Sequence, residues 1–313
     1  MTNSLAFLFP GQGSQAVGMG KELAEKYPVA RHTFEEADAA LGMALSRLYF
    51  EGPEEELRRT EITQPSILTV SVATWRVLAE QGIKPAWVAG HSLGEYSAHV
   101  AAGTLSFADA VRTVRNRGRY MQDAVPAGVG AMAAILGMEP EKVHAICEQA
   151  AQGEVCEAAN RNSPEQIVIS GHKNAVERAV ALATQQGAKK AVLLPVSAPF
   201  HCSLMFPAQE RLARDLSSLP MQNSATPVMC NVDAAFVETA EASRDALVRQ
   251  VTGTVRWDEC VRGLIAKGAE TFVEVGPGKV LWGLMRQIDR SKTSWQTSDD
   301  AALQKALQGL ASV

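Results

Sequence analysis

The chain has few cysteines, and none of them lies in a paired motif. Its 313 residues include five, at Cys147, Cys156, Cys202, Cys230 and Cys260. The number is odd and no Cys-x-x-Cys pair occurs, which argues against both a disulfide framework and a cysteine-rich zinc site. We therefore expect no bound metal and a reducing compartment, so the predicted location is the cytoplasm.

The sequence also lacks a strong excess of charge of one sign and lacks long hydrophobic runs. The formal net charge is −4, which gives no general attraction to nucleic acid or to an anionic membrane surface. The amino-terminal stretch MTNSLAFLFPGQGSQ has no basic segment, and its apolar run is too short for a signal sequence or a membrane span. We expect neither nucleic acid nor a membrane among the partners.

What is present is the composition of an ordinary globular protein, with 46% hydrophobic and 20% charged residues. LAFLF is typical of a buried strand, SILTVSVATWRVLAEQG of a buried helix, and PAWVAGHSLGEYSAHVAAG of a strand, a turn and a helix. Alternation of this kind favours a mostly parallel sheet with helices on both faces. The predicted large domain is therefore an α/β, hydrolase-like unit.

The pattern changes after Pro126. Between residues 127 and 197 the segments read strand, helix, strand, strand, helix, strand, which is the βαββαβ order of ferredoxin-like domains. We predict a small domain at 127–197, inserted into a discontinuous catalytic domain formed by 1–126 and 198–313.

The five residues GHSLG, from Gly90 to Gly94, fit the G-x-S-x-G nucleophile elbow and follow a predicted strand and precede a predicted helix. The two glycines permit the sharp turn that exposes Ser92. The backbone N–H of Leu93 would then point, at the positive end of a helix, toward a developing oxyanion. The alternative is a glycine-rich turn in which Ser92 only caps the helix.

A serine nucleophile needs a base, and the chain has six histidines. His201 is the best candidate because it lies in SAPFHCS, a loop directly after the predicted insertion. His91 adjoins Ser92, but neighbouring side chains on a sharp turn point apart. The others are His99 on the next helix, His32 in an acidic helix, and His144 and His172 in the small domain. Cys202 offers a rival Cys–His pair, without the strand–turn–helix setting of Ser92.

A second glycine-rich turn, FPGQGSQAVGMG, resembles a dinucleotide-binding loop but has Ala16 where the third glycine should be. GPGKV near residue 276 lacks the spacing of a P-loop. We therefore predict no nucleotide cofactor. The glycines around Gln12 would instead let its backbone N–H approach a substrate oxygen closely.

The stretch AVRTVRNRGRYM places four arginines on one predicted helix. Arg112 and Arg119 face away from its apolar stripe, whereas Arg115 and Arg117 flank that stripe on either side. The pattern leaves Arg115 and Arg117 both open as a substrate-binding cation, beside the alternative that all four are simply solvated.

Taken together, these motifs resemble the malonyl-CoA:acyl carrier protein transacylases of fatty-acid synthesis, the FabD type, and the acyltransferase domains of polyketide synthases. The resemblance spans nearly the whole chain. It rests on FPGQGSQAVGMG, EITQPSI, GHSLGEYSA, VRNRGRYMQDAVP, GAMAAILG, NRNSPEQIVISG, APFH, NVDA, ALVRQVTGTVRW and VEVGPGKVL, in family order.

The resemblance implies a role for particular residues. Ser92 would be the nucleophile, His201 the general base, and the backbone N–H groups of Gln12 and Leu93 the oxyanion hole. The backbone carbonyl of Gln250 would orient the histidine in place of a carboxylate. Further matches are Arg117, which would pair with the malonyl carboxylate, and Gln64, Asn162 and Phe200, which would line the site, with Phe200 favouring malonyl over branched groups.

The implied substrates are malonyl-CoA and holo-acyl carrier protein, with no cofactor, and the implied state is a monomer. Because acyl carrier proteins are acidic, we expect a basic docking surface that includes Lys189 and Lys190. Three rivals remain: a serine esterase or thioesterase, in which water resolves the acyl-serine, a transacylase of the malonate-decarboxylase type, and a catalytically silent interaction protein.

Overall fold

The computed structural model of the chain describes residues 4–196 and 198–311. Its strands are β1 (Leu5–Phe9), β2 (Trp87–Gly90), β3 (Gly130–Leu136), β4 (Cys156–Ser163), β5 (Gln166–His172), β6 (Lys190–Leu193), β7 (Val228–Cys230), β8 (Ala235–Val237), β9 (Thr271–Glu274) and β10 (Thr293–Gln296).

Helices pack around these strands. They are α1 (Lys21–Lys26), α2 (Pro28–Leu41), α3 (Leu45–Glu51), α4 (Glu54–Leu57), α5 (Thr60–Glu80), α6 (Gly94–Ala101), α7 (Phe107–Asp123), α8 (Pro140–Ala151), α9 (Lys173–Gln185), α10 (Phe206–Ser217), α11 (Ala240–Arg249), α12 (Trp257–Ala266), α13 (Val280–Ile288) and α14 (Asp300–Leu310). None of these helices is long and apolar enough to cross a membrane.

The larger sheet has six strands in the order β10-β9-β1-β2-β7-β8, and all neighbours are parallel except the antiparallel pair β7 and β8. The prediction of a mostly parallel sheet is confirmed. Phe9 and Gly90 are in register at the carboxyl ends of β1 and β2. The turns that follow these two strands, at Gln12 and at Ser92, therefore lie side by side.

The smaller sheet has the order β4-β5-β3-β6 and is antiparallel throughout. Helices α8 and α9 pack on it through an apolar cluster that includes Ile135, Ile146 and Val176. This is the ferredoxin-like arrangement expected for a βαββαβ segment, and that part of the fold prediction is confirmed. The limits 127–197 stay a prediction, and residue 197 lies outside the described residues.

Main-chain hydrogen bonds join the two parts. Strand β4 meets the segment before α12 through a parallel bridge between Asn160 and Val255. The N–H of Val255 donates to Ala159 O at 2.9 Å, and the N–H of Arg161 donates to Val255 O at 2.9 Å. The smaller sheet is thereby held against the carboxyl-terminal part of the larger unit.

Helix α5 differs from the sequence prediction, which began it at Ser66. It begins at Thr60 and contains Pro65 in its interior. Proline removes one helical N–H donor, but the first turns are buried, and the hydroxyl of Thr63 donates to Leu57 O at 2.5 Å. Tertiary packing therefore outweighs the local preference, and the extra turns carry Gln64 into the site described below.

Candidate active site

The turn between β2 and α6 is an elbow made possible by its two glycines. A Cβ on Gly90 would lie 1.9 Å from the backbone carbonyl of Gly94, and one on Gly94 would lie 2.0 Å from Phe9 O. Both distances are far below van der Waals contact. Ser92, between them, has φ of 51°, a left-handed conformation that an L-residue adopts at a cost. The nucleophile candidate thus lies on a strained turn and is itself only partly buried.

His201 contacts this serine directly. Its Nε2 lies 2.7 Å from Ser92 Oγ, while its Nδ1 lies 2.9 Å from the backbone oxygen of Gln250 and 3.2 Å from that of Gly253. Because carbonyl oxygens only accept, Nδ1 carries the ring proton. Nε2 is therefore the nitrogen that accepts the proton of the serine hydroxyl.

The surroundings keep this histidine neutral. Burial lowers the pKa of His201 to about 3, and the positive charge of Arg117 acts in the same direction. An imidazole with this pKa is uncharged near neutral pH and is available as an acceptor.

Arg117 is the arginine of helix α7 that the fold turns inward. Its Nη2 donates to Ser92 Oγ at 3.1 Å and to Gln250 Oε1 at 3.0 Å, and its Nη1 donates to Gln64 Oε1 at 2.9 Å. The side chain is 1% exposed, and burial lowers its pKa. A cation in such a place can recognise an anionic group beside Ser92 Oγ.

The other arginines of α7 lie elsewhere. Arg115 is half-buried, and Arg112 and Arg119 are exposed. Of the four arginines on this helix, Arg117 is the one whose side chain contacts Ser92 Oγ.

Gln12 and Leu93 lie on the two adjacent turns. Close approach of these turns requires Gly11, because a Cβ there would lie 2.4 Å from His91 O. Within 4–196 and 198–311, no acceptor takes the backbone N–H of Gln12 or Leu93. Both residues line the same cavity as Ser92, so these two backbone donors belong to turns that border the space beside the serine.

That cavity has a volume of about 950 Å³. On one side it is bounded by the elbow, by Gln64 and by Phe200, and on the other by Met132 and Val168 of the smaller sheet. Asn162 also lines it, and its Oδ1 lies 2.8 Å from His91 Nε2. Gln250 lies behind His201 and is fully buried.

The rival base and nucleophile candidates lie in other settings. Cys202 is buried with its thiol 3.1 Å from Pro199 O, and burial raises its pKa to about 11, so it is a neutral thiol. His99 is fully buried. His32 and His144 are exposed beside glutamates, and His172 accepts from the N–H of Val155.

Two buried polar residues at the elbow were missed by sequence reasoning. The backbone N–H of Ser92 donates to Asn231 Oδ1 at 2.7 Å, and Gln250 Nε2 donates to Glu95 Oε2 at 2.8 Å. Their signal was available, since Glu95 directly follows GHSLG and Asn231 opens NVDA. Among the described residues, no group of three or more His, Cys, Asp and Glu side chains could hold a metal ion.

Comparisons with known proteins agree on one family. A family model described as the acyl transferase domain matches residues 6–305. The malonyl CoA-acyl carrier protein transacylase of Salmonella typhimurium is 52% identical over 303 residues, 96% of this chain and 98% of that protein. The solved structure of the malonyl CoA-acyl carrier protein transacylase from Coxiella burnetii has a TM-score of 0.96 and 44% identity, covering 98% of this chain and 97% of that one.

A third similar protein was solved together with a partner. It is described as a type II PKS acyl-carrier protein in complex with its malonyl-transacylase, and it matches with a TM-score of 0.96 and 46% identity, covering 98% and 99% of the two chains. A serine on an elbow, a neutral histidine and a buried arginine thus occur in a chain that nearly all aligns with transacylases. The chain belongs to the acyl transferase domain family and is an acyltransferase.

Proposed function

We propose that this protein transfers the malonyl group of malonyl-CoA to the phosphopantetheine thiol of acyl carrier protein, supplying malonyl carrier for fatty-acid biosynthesis. The observation that carries this proposal is the placement of Ser92 Oγ, 2.7 Å from the neutral His201 and 3.1 Å from the guanidinium of Arg117. A nucleophile and a carboxylate receptor therefore adjoin, as a short dicarboxylic acyl group requires.

In the first half-reaction, Ser92 Oγ attacks the thioester carbonyl while His201 Nε2 takes the hydroxyl proton. The backbone N–H groups of Gln12 and Leu93 would stabilise the resulting oxyanion. Cleavage of the carbon–sulfur bond then releases coenzyme A, which takes the proton from His201. The product is malonyl-Ser92.

The second half-reaction runs the same steps in reverse order. The phosphopantetheine thiol gives its proton to His201 Nε2 and attacks the malonyl-serine carbonyl, and Ser92 Oγ leaves with that proton. The backbone carbonyl of Gln250, 2.9 Å from Nδ1, would stabilise the imidazolium that forms in each half. These steps need no metal or redox cofactor.

Arg117 would supply the selectivity for malonyl. In the free enzyme its donors are directed at Ser92 Oγ and at the amide oxygens of Gln64 and Gln250. A carboxylate is a stronger acceptor than these neutral oxygens, so a malonyl group would form a charge-assisted pair with the guanidinium. Phe200 and Asn162 would form the surrounding wall.

The proposal extends to the partner and the setting. The complete set of proposed site residues lies in one chain, so the proposed active unit is a monomer. Lys189 and Lys190 are exposed at the edge of the smaller sheet, which supports a docking role toward an acidic carrier. All five cysteines are free, which supports a reducing, cytoplasmic setting.

The direct test is intact mass spectrometry after mixing the protein with malonyl-CoA, with Ser92→Ala as the control, followed by holo-acyl carrier protein. We expect a malonyl adduct on the wild type alone, discharged onto the carrier. An adduct that water removes at the same rate with and without carrier would identify a thioesterase instead, and no adduct would refute the proposal.

A further inference from the structure

One buried carboxylate beside the nucleophile has no part in the proposed chemistry. Glu95, in the first turn of α6, is fully buried. Its Oε2 accepts from Gln250 Nε2 at 2.8 Å and from the backbone N–H of Asn231 at 2.9 Å. Within the described parts of the chain its Oε1 has no hydrogen-bond partner. Burying a carboxylate with one unpaired oxygen costs free energy, so its presence here calls for a compensating role.

Its first contact fixes the direction of an amide. Gln250 Nε2 donates to Glu95 Oε2 and also to the backbone oxygen of Ser92, at 3.0 Å. Both partners are acceptors, so the NH2 end of the amide must face them. The oxygen end therefore faces Arg117, whose Nη2 lies 3.0 Å away. In the flipped orientation the NH2 group would face the guanidinium, and because both groups only donate, no hydrogen bond could form between them.

The same residue also holds the base. The backbone oxygen of Gln250 accepts from His201 Nδ1 at 2.9 Å. The side chain of Gln250 thus positions Arg117, and its main chain positions His201. Glu95 holds the side chain of this residue through the bond to Nε2, and it is not itself among the residues that line the cavity.

The second contact of Glu95 reaches the elbow itself. By accepting from its backbone N–H, Glu95 places Asn231, whose Oδ1 accepts from the N–H of Ser92 at 2.7 Å and whose Nδ2 donates to Gly90 O at 2.8 Å. These two bonds span the strained turn, in which Ser92 has a positive φ. The carboxylate is therefore connected to Arg117, His201 and Ser92, in each case through one intermediate residue.

We propose that Glu95 is a positioning residue for acyl transfer, which directs Arg117 at the substrate carboxylate through Gln250 and holds the Ser92 elbow through Asn231. This inference rests on the proposed function. The role belongs to an acceptor oxygen and does not require a charge. A proton on the free Oε1 leaves both bonds to Oε2 intact, and glutamine can present a carbonyl oxygen at the same place.

The experiment compares glutamine and methionine at this position. Glu95→Gln keeps the acceptor, whereas Glu95→Met fills the same volume without one. The matched control is Glu274→Met, because Glu274 is an equally buried carboxylate on β9 that accepts from the N–H of Trp282 at 2.7 Å and does not line the cavity. For each variant, single-turnover acylation by malonyl-CoA and by acetyl-CoA gives two values of kcat/KM.

We expect Glu95→Met to lower kcat/KM for malonyl-CoA about 100-fold and for acetyl-CoA about tenfold, so that the malonyl preference falls about tenfold. Glu95→Gln should stay within about threefold of the wild type on both substrates. Glu274→Met should leave the preference unchanged, whatever it does to stability. An unchanged preference in Glu95→Met, or a glutamine variant as impaired as the methionine variant, would overturn the inference.

If Glu95→Met does not fold, Gln250→Leu removes the amide through which Glu95 acts and retains the backbone oxygen for His201. It should show the same loss of malonyl preference, and a retained preference would again overturn the inference. The wild type separates the two proposals: if it transfers no malonyl group, the proposed function fails, whereas a failure confined to the variants refutes only the role of Glu95.

Discussion

Ser92 Oγ lies between two groups of opposite hydrogen-bonding character: it donates to His201 Nε2 at 2.7 Å and accepts from Arg117 Nη2 at 3.1 Å. The histidine raises the nucleophilicity of the oxygen, and the arginine lies where the far end of a short acyl group would reach. The hydroxyl is thus oriented before any substrate arrives.

Replacing Arg117 with alanine should reduce acylation by malonyl-CoA about 100-fold, because a charge-assisted hydrogen bond in a buried site contributes roughly 1.5–3 kcal/mol. Acylation by acetyl-CoA, which has no carboxylate, should change much less. Rates of adduct formation with the two thioesters give the preference directly. Arg115→Ala, on the same helix but half-buried, is the control, and a preference that survives in Arg117→Ala would contradict the assignment.

The pH dependence of acylation should be flat where a solvent-exposed histidine would titrate. Burial, with the nearby charge of Arg117, holds the pKa of His201 at about 3, so the base stays neutral as the pH falls from 8 to 5. We expect kcat/KM for malonyl-CoA to change less than about threefold over this range. A decline with a midpoint near 6.5 would show that the free enzyme has an ordinary histidine at this position.

His99 should make the protein sensitive to acid. Burial lowers its pKa to about 3, and neither ring nitrogen has a partner in the described part of the chain. The unfolded chain, with a histidine pKa near 6.5, binds the proton more readily, so the contribution is complete above pH 6.5 and is lost as the pH falls toward 3.

His99→Leu should therefore raise the free energy of unfolding at pH 5, relative to pH 7.5, by about 2 kcal/mol compared with the wild type. Urea unfolding at the two pH values measures this difference. The same substitution at His144, which is exposed on α8, serves as the control. Equal pH dependence in the wild type and His99→Leu would contradict the prediction.

Gly90→Ala should abolish acylation and destabilise the fold by at least about 3 kcal/mol, because the added Cβ would overlap the Gly94 carbonyl at 1.9 Å. Gly283→Ala is a matched control, since no atom lies within 4 Å of a Cβ there and the residue is inside helix α13. The control should be neutral or stabilising by up to about 1 kcal/mol. Thermal unfolding and adduct formation are measured on both variants. A Gly90→Ala protein that is as stable and as active as Gly283→Ala would contradict the prediction.

Reversing the charges of Lys189 and Lys190 should weaken binding of the carrier protein without affecting acylation of Ser92. With Lys189→Glu and Lys190→Glu combined, we expect KM for the carrier protein to rise about tenfold, while acylation by malonyl-CoA stays unchanged. The effect should diminish as salt is added. Lys21→Glu combined with Lys305→Glu, at exposed positions on α1 and α14, changes the net charge by the same amount and is the control. Discharge onto the carrier that is insensitive to both the reversal and salt would rule out docking at this edge.

Local signals predicted the parts of the fold that depend on neighbours in sequence. The elbow follows from two glycines around Ser92, and the βαββαβ order follows from apolar periodicity. The helical pattern could not predict that Arg117 rather than Arg115 points inward, because both flank the same stripe and the partners of Arg117, Gln64 and Gln250, are distant in sequence. The family resemblance alone indicated Arg117.

The contacts of Glu95 with Asn231 and Gln250 were equally beyond local pattern reasoning. Each of the three residues lies in or beside a recognisable motif, but they are far apart in sequence, so the motifs do not show that the residues contact one another. The amino-terminal turns of α5 were missed for a related reason, since Pro65 locally argues against a helix that buried packing nevertheless stabilises.

The junction between Val255 and strand β4 determines which parts of the cavity beside Ser92 can be altered by substitution. The bonds there join main-chain atoms of residues 159, 161 and 255, so they do not depend on which side chains those positions carry. The opposing wall, with Met132 and Val168, can therefore be altered one side chain at a time while the spacing between the two sheets is preserved. The width of the cavity is thus set by main-chain bonds, whereas its lining is set by side chains. The lining is therefore the natural target for redesign toward bulkier acyl groups.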